Sequence, residues 1–401
     1  MNRTLSCAFA LLLAGSYACG DDGAPAGTAD IGGDRSTDAT SDAANADAGD
    51  ATADGGEDAP SEDATPDTPP TDTGAGDSGG EDAAADATVD TGTDAAPDVV
   101  EPDSGVPVTC ETHTPWRRGP LRVTRSTITL PRSTAGTFEA EVFVPAEATE
   151  ALPLVIFNHG FQLTAAEFTT YGEWLASHGF VAVLPTIGDN LISARTHAEL
   201  GADAIAWLDH LLSTSDGYDG GYLDGAIGIA GHSRGGKQSL LAAADDARFA
   251  AVFGVDPVDA GPPFGSNPTD FPSVTPERMD DLDRPLGLVG AGLAGESGIF
   301  GPACAPTDDN YQRYFDAAPG PAWAWTLPDA GHLDFLDACS NPLVCATCAA
   351  GDDPGAARDF ARATMVAFFR SHLLDDTTCD AWLDGDRVTG DATLTVTVQT
   401  R

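Results

Sequence analysis

Basic side chains are what this chain has least of. Across 401 residues, 19 Lys and Arg stand against 63 Asp and Glu, a formal net charge of −44. Grip on a phosphate backbone needs clustered Lys and Arg, so nucleic acid is excluded as a partner. Long apolar runs are missing too. The one near the start, Ala8 to Ala14, is far short of the roughly 20 residues that span a bilayer. Metal-binding patterns are scarce. No regular D-x-D-x-D-G ladder runs through the acidic stretch, and Cys345-Ala346-Thr347-Cys348 has no second C-x-x-C and no His pair to complete a zinc site. No metal and no organic cofactor is expected.

Large apolar side chains are nearly absent from residues 20–108, which consist mainly of Asp, Ala, Thr, Gly, Pro and Ser. Residues 21–108 hold 24 acids and one base, Arg35, about half of the net charge of the whole chain. Such a segment cannot bury enough apolar surface to offset chain entropy, and its like charges repel. The expectation is a disordered acidic linker that acts as a tether. Ahead of it, residues 1–19 read as an export signal, with Asn2-Arg3 as the basic start and Ala8 to Ala14 as the apolar centre. Cys19 follows Leu13-Ala14-Gly15-Ser16-Tyr17-Ala18, a loose match to a bacterial lipoprotein cleavage box with Tyr17 as the departure. Lipidation of Cys19 and anchoring at the cell surface or outer membrane are expected, with plain secretion as the alternative. Cys7 lies in the signal. The remaining six cysteines, Cys110, Cys304, Cys339, Cys345, Cys348 and Cys379, are an even number in an exported chain. That favours disulfides, among fifteen pairings the sequence does not rank.

Residues 109–401 read as one folded domain. Val123 to Leu130 and Phe138 to Val144 suit an antiparallel pair. Short apolar runs then alternate with helical patterns. The strands are Leu154–Phe157, Phe180–Leu184, Ala226–Ala230, Ala250–Val255, Pro285–Val289 and Ala322–Trp325; the helices are Ala165–His178, Thr196–Leu212, Lys237–Ala244 and residues 356–374. Continuous apolar runs suit strands buried on both faces, and the alternation means a doubly wound, mostly parallel sheet in an α/β fold. Ala392 to Val398 alternates like a half-exposed strand and carries no functional reading.

The most specific signal is Gly231-His232-Ser233-Arg234-Gly235-Gly236, set between the strand Ala226–Ala230 and a helix. Strand, G-x-S-x-G and helix together define a nucleophile elbow, which lifts the serine hydroxyl to the top of a sheet. Glycine fits the close approach of strand and helix there. A serine hydroxyl needs a base, and the base needs an acid to fix its tautomer. His332 and His372 alone follow Ser233 in the chain. His372 falls inside a helix and reads as a surface or packing residue, whereas His332 sits in a turn just after the last parallel strand and is the expected base. Asp256 and Asp259 of Val255-Asp256-Pro257-Val258-Asp259, and Glu296 after the next strand, are all placed to be the acid. The oxyanion hole needs two amides. The Arg234 N–H is one, and the Phe161 N–H, in the loop Asn158-His159-Gly160-Phe161, is the other. His159 precedes the serine and reads as a brace for that loop.

The order of motifs over residues 150–340 resembles the chlorophyllase family and its bacterial relatives, near the cutinase-like polyester hydrolases. The motifs are His159-Gly160-Phe161, Ala176 to Phe180, the GHSRGGK of Gly231 to Lys237, the DPVD of Asp256 to Asp259, Gly290 to Gly295, Cys304-Ala305-Pro306, Gly320 to Trp323 and Gly331-His332-Leu333-Asp334. The resemblance implies an α/β-hydrolase fold, a serine carboxylic-ester hydrolase, and Asp256 as the acid. Ala260 stands where the plant enzymes have glycine, and those enzymes lack the acidic tether and the cysteines of 339–348. The expected partner is a small-molecule or lipid-like ester, and Phe161, Phe264, Phe271 and Trp323 either line its pocket or pack in the core, the second reading being at least as strong. A non-catalytic surface binding protein on the same scaffold and an acyltransferase using the same triad are the competing readings.

Overall fold

The computed structural model describes residues 107–401 apart from 189–194, 215, 262–266, 299–300 and 391–393. The expected export signal, Cys19, nearly all of the acidic linker and Phe264 lie outside the described residues. Within the described residues no helix is long and apolar enough to cross a membrane.

Among the described residues, nine strands form a single sheet in the order β1-β2-β4-β3-β5-β6-β7-β8-β9. They are β1 Val123–Pro131, β2 Thr137–Pro145, β3 Leu152–Asn158, β4 Val181–Thr186, β5 Tyr222–His232, β6 Ala251–Val255, β7 Leu286–Ala291, β8 Ala322–Leu327 and β9 Thr397–Thr400. The six strands from β4 to β8 run parallel. β1 and β2 pair antiparallel at one edge, β2 runs antiparallel to β4, and β9 runs antiparallel to β8 at the other edge. The alternating stretch near the C-terminus thus becomes an edge strand, placed further along the chain than its side-chain pattern suggests. The ladder sets its position, pairing Trp323 with Thr400 and Thr326 with Thr397.

Successive residues of a strand face opposite sides, and the central strands show it. Val155, Phe157, Ala230, Phe253 and Val289 face one layer, built from α1 Thr169–Ser177 and the long α6 Pro354–Leu374. Leu154, Ile156, Ile229, Val252 and Leu288 face the other, built from α2 His197–Ser213, α3 Arg234–Asp245 and α4 Tyr311–Ala317. Each fully buried side chain of this kind stabilises the fold by about 1.5–3 kcal/mol. The helix expected over Ala165–His178 is broken. Ala165–Phe168 is a tight 3₁₀ turn, and α1 begins after it. The turn starts from a capping box at Thr164, where the buried Glu167 carboxylate accepts from both the amide and the hydroxyl of Thr164 and from Ser340 Oγ.

The six cysteines pair as Cys110–Cys379, Cys304–Cys348 and Cys339–Cys345. The first ties the start of the domain to the turn after α6. Cys304, between β7 and α4, bonds across to Cys348 in the segment between β8 and α6, where the single turn α5, Pro342–Cys345, interrupts a long connection that also holds the Cys339–Cys345 bond. Asp376 stands beside Cys110 and Cys379, but both sulfurs are spent in the disulfide, so the trio offers no thiolate to a metal.

Candidate active site

β5 and α3 meet at Ser233, whose φ of 56° and ψ of −124° lie in a left-handed region that a non-glycine residue adopts at a cost of about 1–3 kcal/mol. The surroundings hold it there. The Ser233 amide donates to the Val255 carbonyl at 3.0 Å, and its own carbonyl accepts from Gly236 at 3.0 Å, Lys237 at 3.2 Å and Val258 at 3.3 Å. Strand and helix come so close that a Cβ on Gly235 would overlap the carbonyl oxygens of Asn158 and His159. That contact is the physical reason for the glycine. Ser233 is half-buried while both neighbours are buried, so its hydroxyl stands at the surface of the site.

His332 lies in the turn that follows β8 and is 4% exposed. Its Nε2 is 2.9 Å from Ser233 Oγ, and its Nδ1 is 2.6 Å from Asp256 Oδ2. An ionised carboxylate only accepts. The proton is therefore on Nδ1, and the Nε2 lone pair faces the serine hydroxyl. Asp256 ends β6, fully buried, with a φ of 43°. Its other carboxylate oxygen accepts from the Ala291 amide at 3.1 Å, and its own amide donates to Val289 at 2.6 Å. Four neighbouring elements thus bring the three side chains together.

The two other candidate acids are placed elsewhere. Asp259 is buried against Lys237, the only lysine in the chain, with Nζ 3.4 Å from Oδ1. It accepts from Ser273 Oγ at 2.6 Å, the Val274 amide at 2.9 Å, and the amide and hydroxyl of Thr275 at 3.1 and 2.7 Å. Burial alone would raise its pKa, but the Lys237 charge and these donors bring it below the ordinary value. The pair ties α3 to the chain beyond β6. Glu296 is exposed in the turn after β7, and its carboxylate has no hydrogen bond to a described residue.

Arg234 opens α3, so its amide belongs to the helix N-terminus, where backbone donors lack intrahelical carbonyls. Phe161 follows Gly160 in the loop after β3. That loop touches the elbow, since a Cβ on Gly160 would sit 3.3 Å from Ser233 Cβ. The Arg234 side chain reaches back across the same gap, with its guanidinium 5.5 Å from the Phe161 ring centre and Nη2 3.4 Å from the Gly160 carbonyl. His159 braces the loop from beneath. Its Nδ1 donates to the Gly160 carbonyl at 2.7 Å, and its Nε2 accepts from the Ile187 amide at 2.8 Å. Burial first, and the Arg234 charge second, lower its pKa to about 3, so the ring is neutral.

One site residue carries no role in the sequence reading. His232, fully buried, donates from Nε2 to the His332 carbonyl at 2.8 Å and lies 4.7 Å from the His332 ring, centre to centre. Burial, and then the His332 ring beside it, hold its pKa well below the ordinary histidine value. Its position next to Ser233 is the only signal the sequence offers. Of the pocket candidates, Phe161 belongs to the site and Phe271 packs edge-on against His197 at 5.0 Å. Trp323 does not reach the site. It lies at the start of β8, against Phe368 and His372, whereas His332 follows the other end of the strand. His372 is a packing residue of α6 there, its pKa lowered by burial.

A mostly parallel sheet with a serine turn at the end of β5 and a His–Asp pair beside it is the arrangement of an α/β-hydrolase. A sequence model of the Chlorophyllase family matches residues 111–395, well over half of the chain, and the chain belongs to that family. Chlorophyllase-2 of Arabidopsis thaliana is 27% identical over 243 residues, covering 56% of this chain and 74% of that protein. Chlorophyllase type 0 of Chenopodium album is 25% identical over 281 residues, covering 65% and 79%. Chlorophyllase-1 of Arabidopsis thaliana is 30% identical over 197 residues, covering 46% and 59%.

Proposed function

We propose that the chain is a serine carboxylic-ester hydrolase that works through an acyl-enzyme. The observation that carries this reading is the hydrogen-bonded series Ser233, His332, Asp256 at the carboxyl ends of the parallel strands. Ser233 Oγ attacks the ester carbonyl and its proton passes to His332 Nε2. Asp256 keeps the imidazole in the required tautomer and stabilises the imidazolium. The Phe161 and Arg234 amides bind the negative oxygen of the tetrahedral intermediate. The imidazolium then gives its proton to the departing alcohol. Water, activated by the same ring, splits the acyl-enzyme and releases the acid. The protein's own part is to hold these groups in place before the ester arrives, which removes most of the reorganisation cost.

The relatives are named for chlorophyll, so chlorophyll is the first natural ester to try. The family alone does not set the leaving group or the acid. Three disulfides in one domain suit an oxidising compartment, and we place the protein outside the cytoplasm, held to a membrane through a lipid on Cys19. Mass spectrometry of the mature N-terminus checks this, since an unacylated start would leave secretion without an anchor.

The test of the hydrolase is turnover of p-nitrophenyl esters from acetate to palmitate by the full chain, with Ser233→Ala beside it. The substitution is expected to lower kcat on the order of 10⁵–10⁶-fold with the fold unchanged. Activity near wild type in that variant would remove Ser233 from the mechanism.

A further inference from the structure

His332 is the one member of the triad that no strand carries directly. It lies in the connection between β8, which ends at Leu327, and α6, which starts at Pro354. That connection is held by a closed circuit of contacts. Asp334, two residues past the imidazole and 4% exposed, accepts from the Gly331 amide at 2.6 Å and from the Gly351 amide at 2.8 Å, both on Oδ2. The two chain segments so joined lie directly on each other. A Cβ on Gly331 would overlap the Ala349 carbonyl oxygen, and a Cβ on Gly351 would overlap that of Asp329.

The circuit continues through a covalent bond. Gly351 follows Cys348, which is bonded to Cys304. Next to Cys304, the Ala305 amide donates to Ala294 at 3.0 Å, and Ser297 bridges both Ala303 and Cys348. From there the Leu293 amide donates back to the Ala330 carbonyl at 3.0 Å, two residues before His332. The path from Ala330 through Leu293, Cys304, Cys348, Gly351 and Asp334 to Gly331 therefore closes on the turn that bears the imidazole. One disulfide and one buried carboxylate are its two strongest links. The Cys339–Cys345 disulfide, which closes its own short loop, is outside it.

We infer that Asp334 is a positioning residue for His332 and that the Cys304–Cys348 disulfide is the clamp through which it acts. Together they fix the distance from the imidazole to Ser233 and Asp256. This rests on the hydrolase reading above for its effect on rate, but not for its effect on the turn. Displacement of a reacting group by about 1 Å can cost on the order of 100-fold in rate, so a loosened turn acts on kcat more than on substrate affinity.

Five full-length proteins test it: wild type, Asp334→Ala, Cys304→Ala/Cys348→Ala, the combination of these three substitutions, and Cys339→Ala/Cys345→Ala. Asp334→Ala removes the oxygen that accepts from Gly331 and Gly351 and keeps the disulfide, so it reports even if the cysteine variant folds poorly. In Asp334→Ala and in the cysteine variant, kcat is expected to fall about 10–100-fold with KM within about two-fold, and each should also lower the thermal midpoint. Because both act through one circuit, their combination should lose little more than the worse of the two, not the product. Cys339→Ala/Cys345→Ala should leave kcat within about two-fold. Amide hydrogen exchange is read on the same proteins, and residues 329–335 should exchange at least about ten times faster in the affected variants while the central strands do not change. Unchanged exchange in that segment, or multiplicative losses in kcat, would overturn the inference. An inactive wild type whose turn still loosens in Asp334→Ala would instead remove the hydrolase reading and leave the clamp standing.

Discussion

Ser233 and Asp256 are held by the sheet, His332 by a loop, and the two halves of the site are built by different means. On the sheet side, ladder bonds and bare backbone contacts suffice. Ser233 hangs from the Val255 carbonyl and Asp256 from that of Val289. Neighbouring parallel strands place their ends side by side, and glycines let α3 press against β5. No disulfide lies in that half. On the loop side, no ladder exists to set a register. A buried carboxylate and a disulfide take its place. If His332 is the base, the covalent support falls on the half whose side chain sits on a long connection, where ordering entropy is large.

After the loss of the Ser233 hydroxyl itself, the largest effect expected of a single change on the sheet side is that of Asp256→Asn. It keeps the shape but presents an amide to His332, favouring the wrong tautomer, and should lower kcat about 10⁴-fold with folding intact. Steady-state kinetics with the ester series reads it, and a loss under ten-fold would mean another acid serves the imidazole. Gly235→Ala comes next. Its methyl group would overlap the Asn158 carbonyl, a backbone atom that cannot step aside, so stability should fall by about 3 kcal/mol or more. A thermal melt that stays in place would show that the elbow is looser than its packing implies.

Protons offer a third way to separate the halves. His159 and His232 in the site, and His178 and His197 outside it, are buried and neutral, chiefly through burial. Their pKa values are lowered, to about 3 for His159 and His197 and about 4 for His178. The unfolded chain takes up these protons first. Stability is thus full above the ordinary histidine value, and it drains away as pH falls from about 6.5 towards 4, by up to about 1.4 kcal/mol per pH unit for each ring. Unfolding free energies from urea titrations at pH 7.5 and pH 5 should differ by several kcal/mol. A flat profile would mean that these rings are hydrated. The smallest effect belongs to Glu296→Gln, which should leave both rate and stability within error, since the carboxylate is exposed and unbonded among the described residues. A large loss there would move the acid from the sheet half to the turn after β7.

The sheet half was readable from the chain because close packing leaves glycines behind. Gly231, Gly235 and Gly236 mark the crossing of β5 and α3 before any coordinates are known. The acid was harder. Asp256 and Asp259 are three residues apart and both buried, and only the contact of the β6 end with His332 on one side and Lys237 on the other tells them apart. On the loop half, the motif around His332 was visible but its supports were not. Asp334 and Gly351 are 17 residues apart, and six cysteines leave fifteen pairings open. His232 acts through a backbone carbonyl 100 residues away, which no local pattern encodes. α4 went unread because it is only seven residues long and starts from an Asn310 cap rather than from a long amphipathic run. For Trp323 the sequence leaves pocket and packing open, because alternation tells which face of a strand a residue occupies, not which end lies near the site; the structure packs it on Phe368 and His372.

Lys237 carries a consequence outside the fold. It is the only lysine in 401 residues, and its ammonium is fully buried against Asp259. The folded surface therefore offers no side-chain amine to an activated acyl group. On the hydrolase reading, an acyl group carried on Ser233 meets no exposed lysine of the protein's own to acylate by accident. The same property makes the intact protein nearly silent to amine-directed labels, crosslinkers and immobilisation chemistry, so such a reagent should mark unfolding by the moment this single site begins to react.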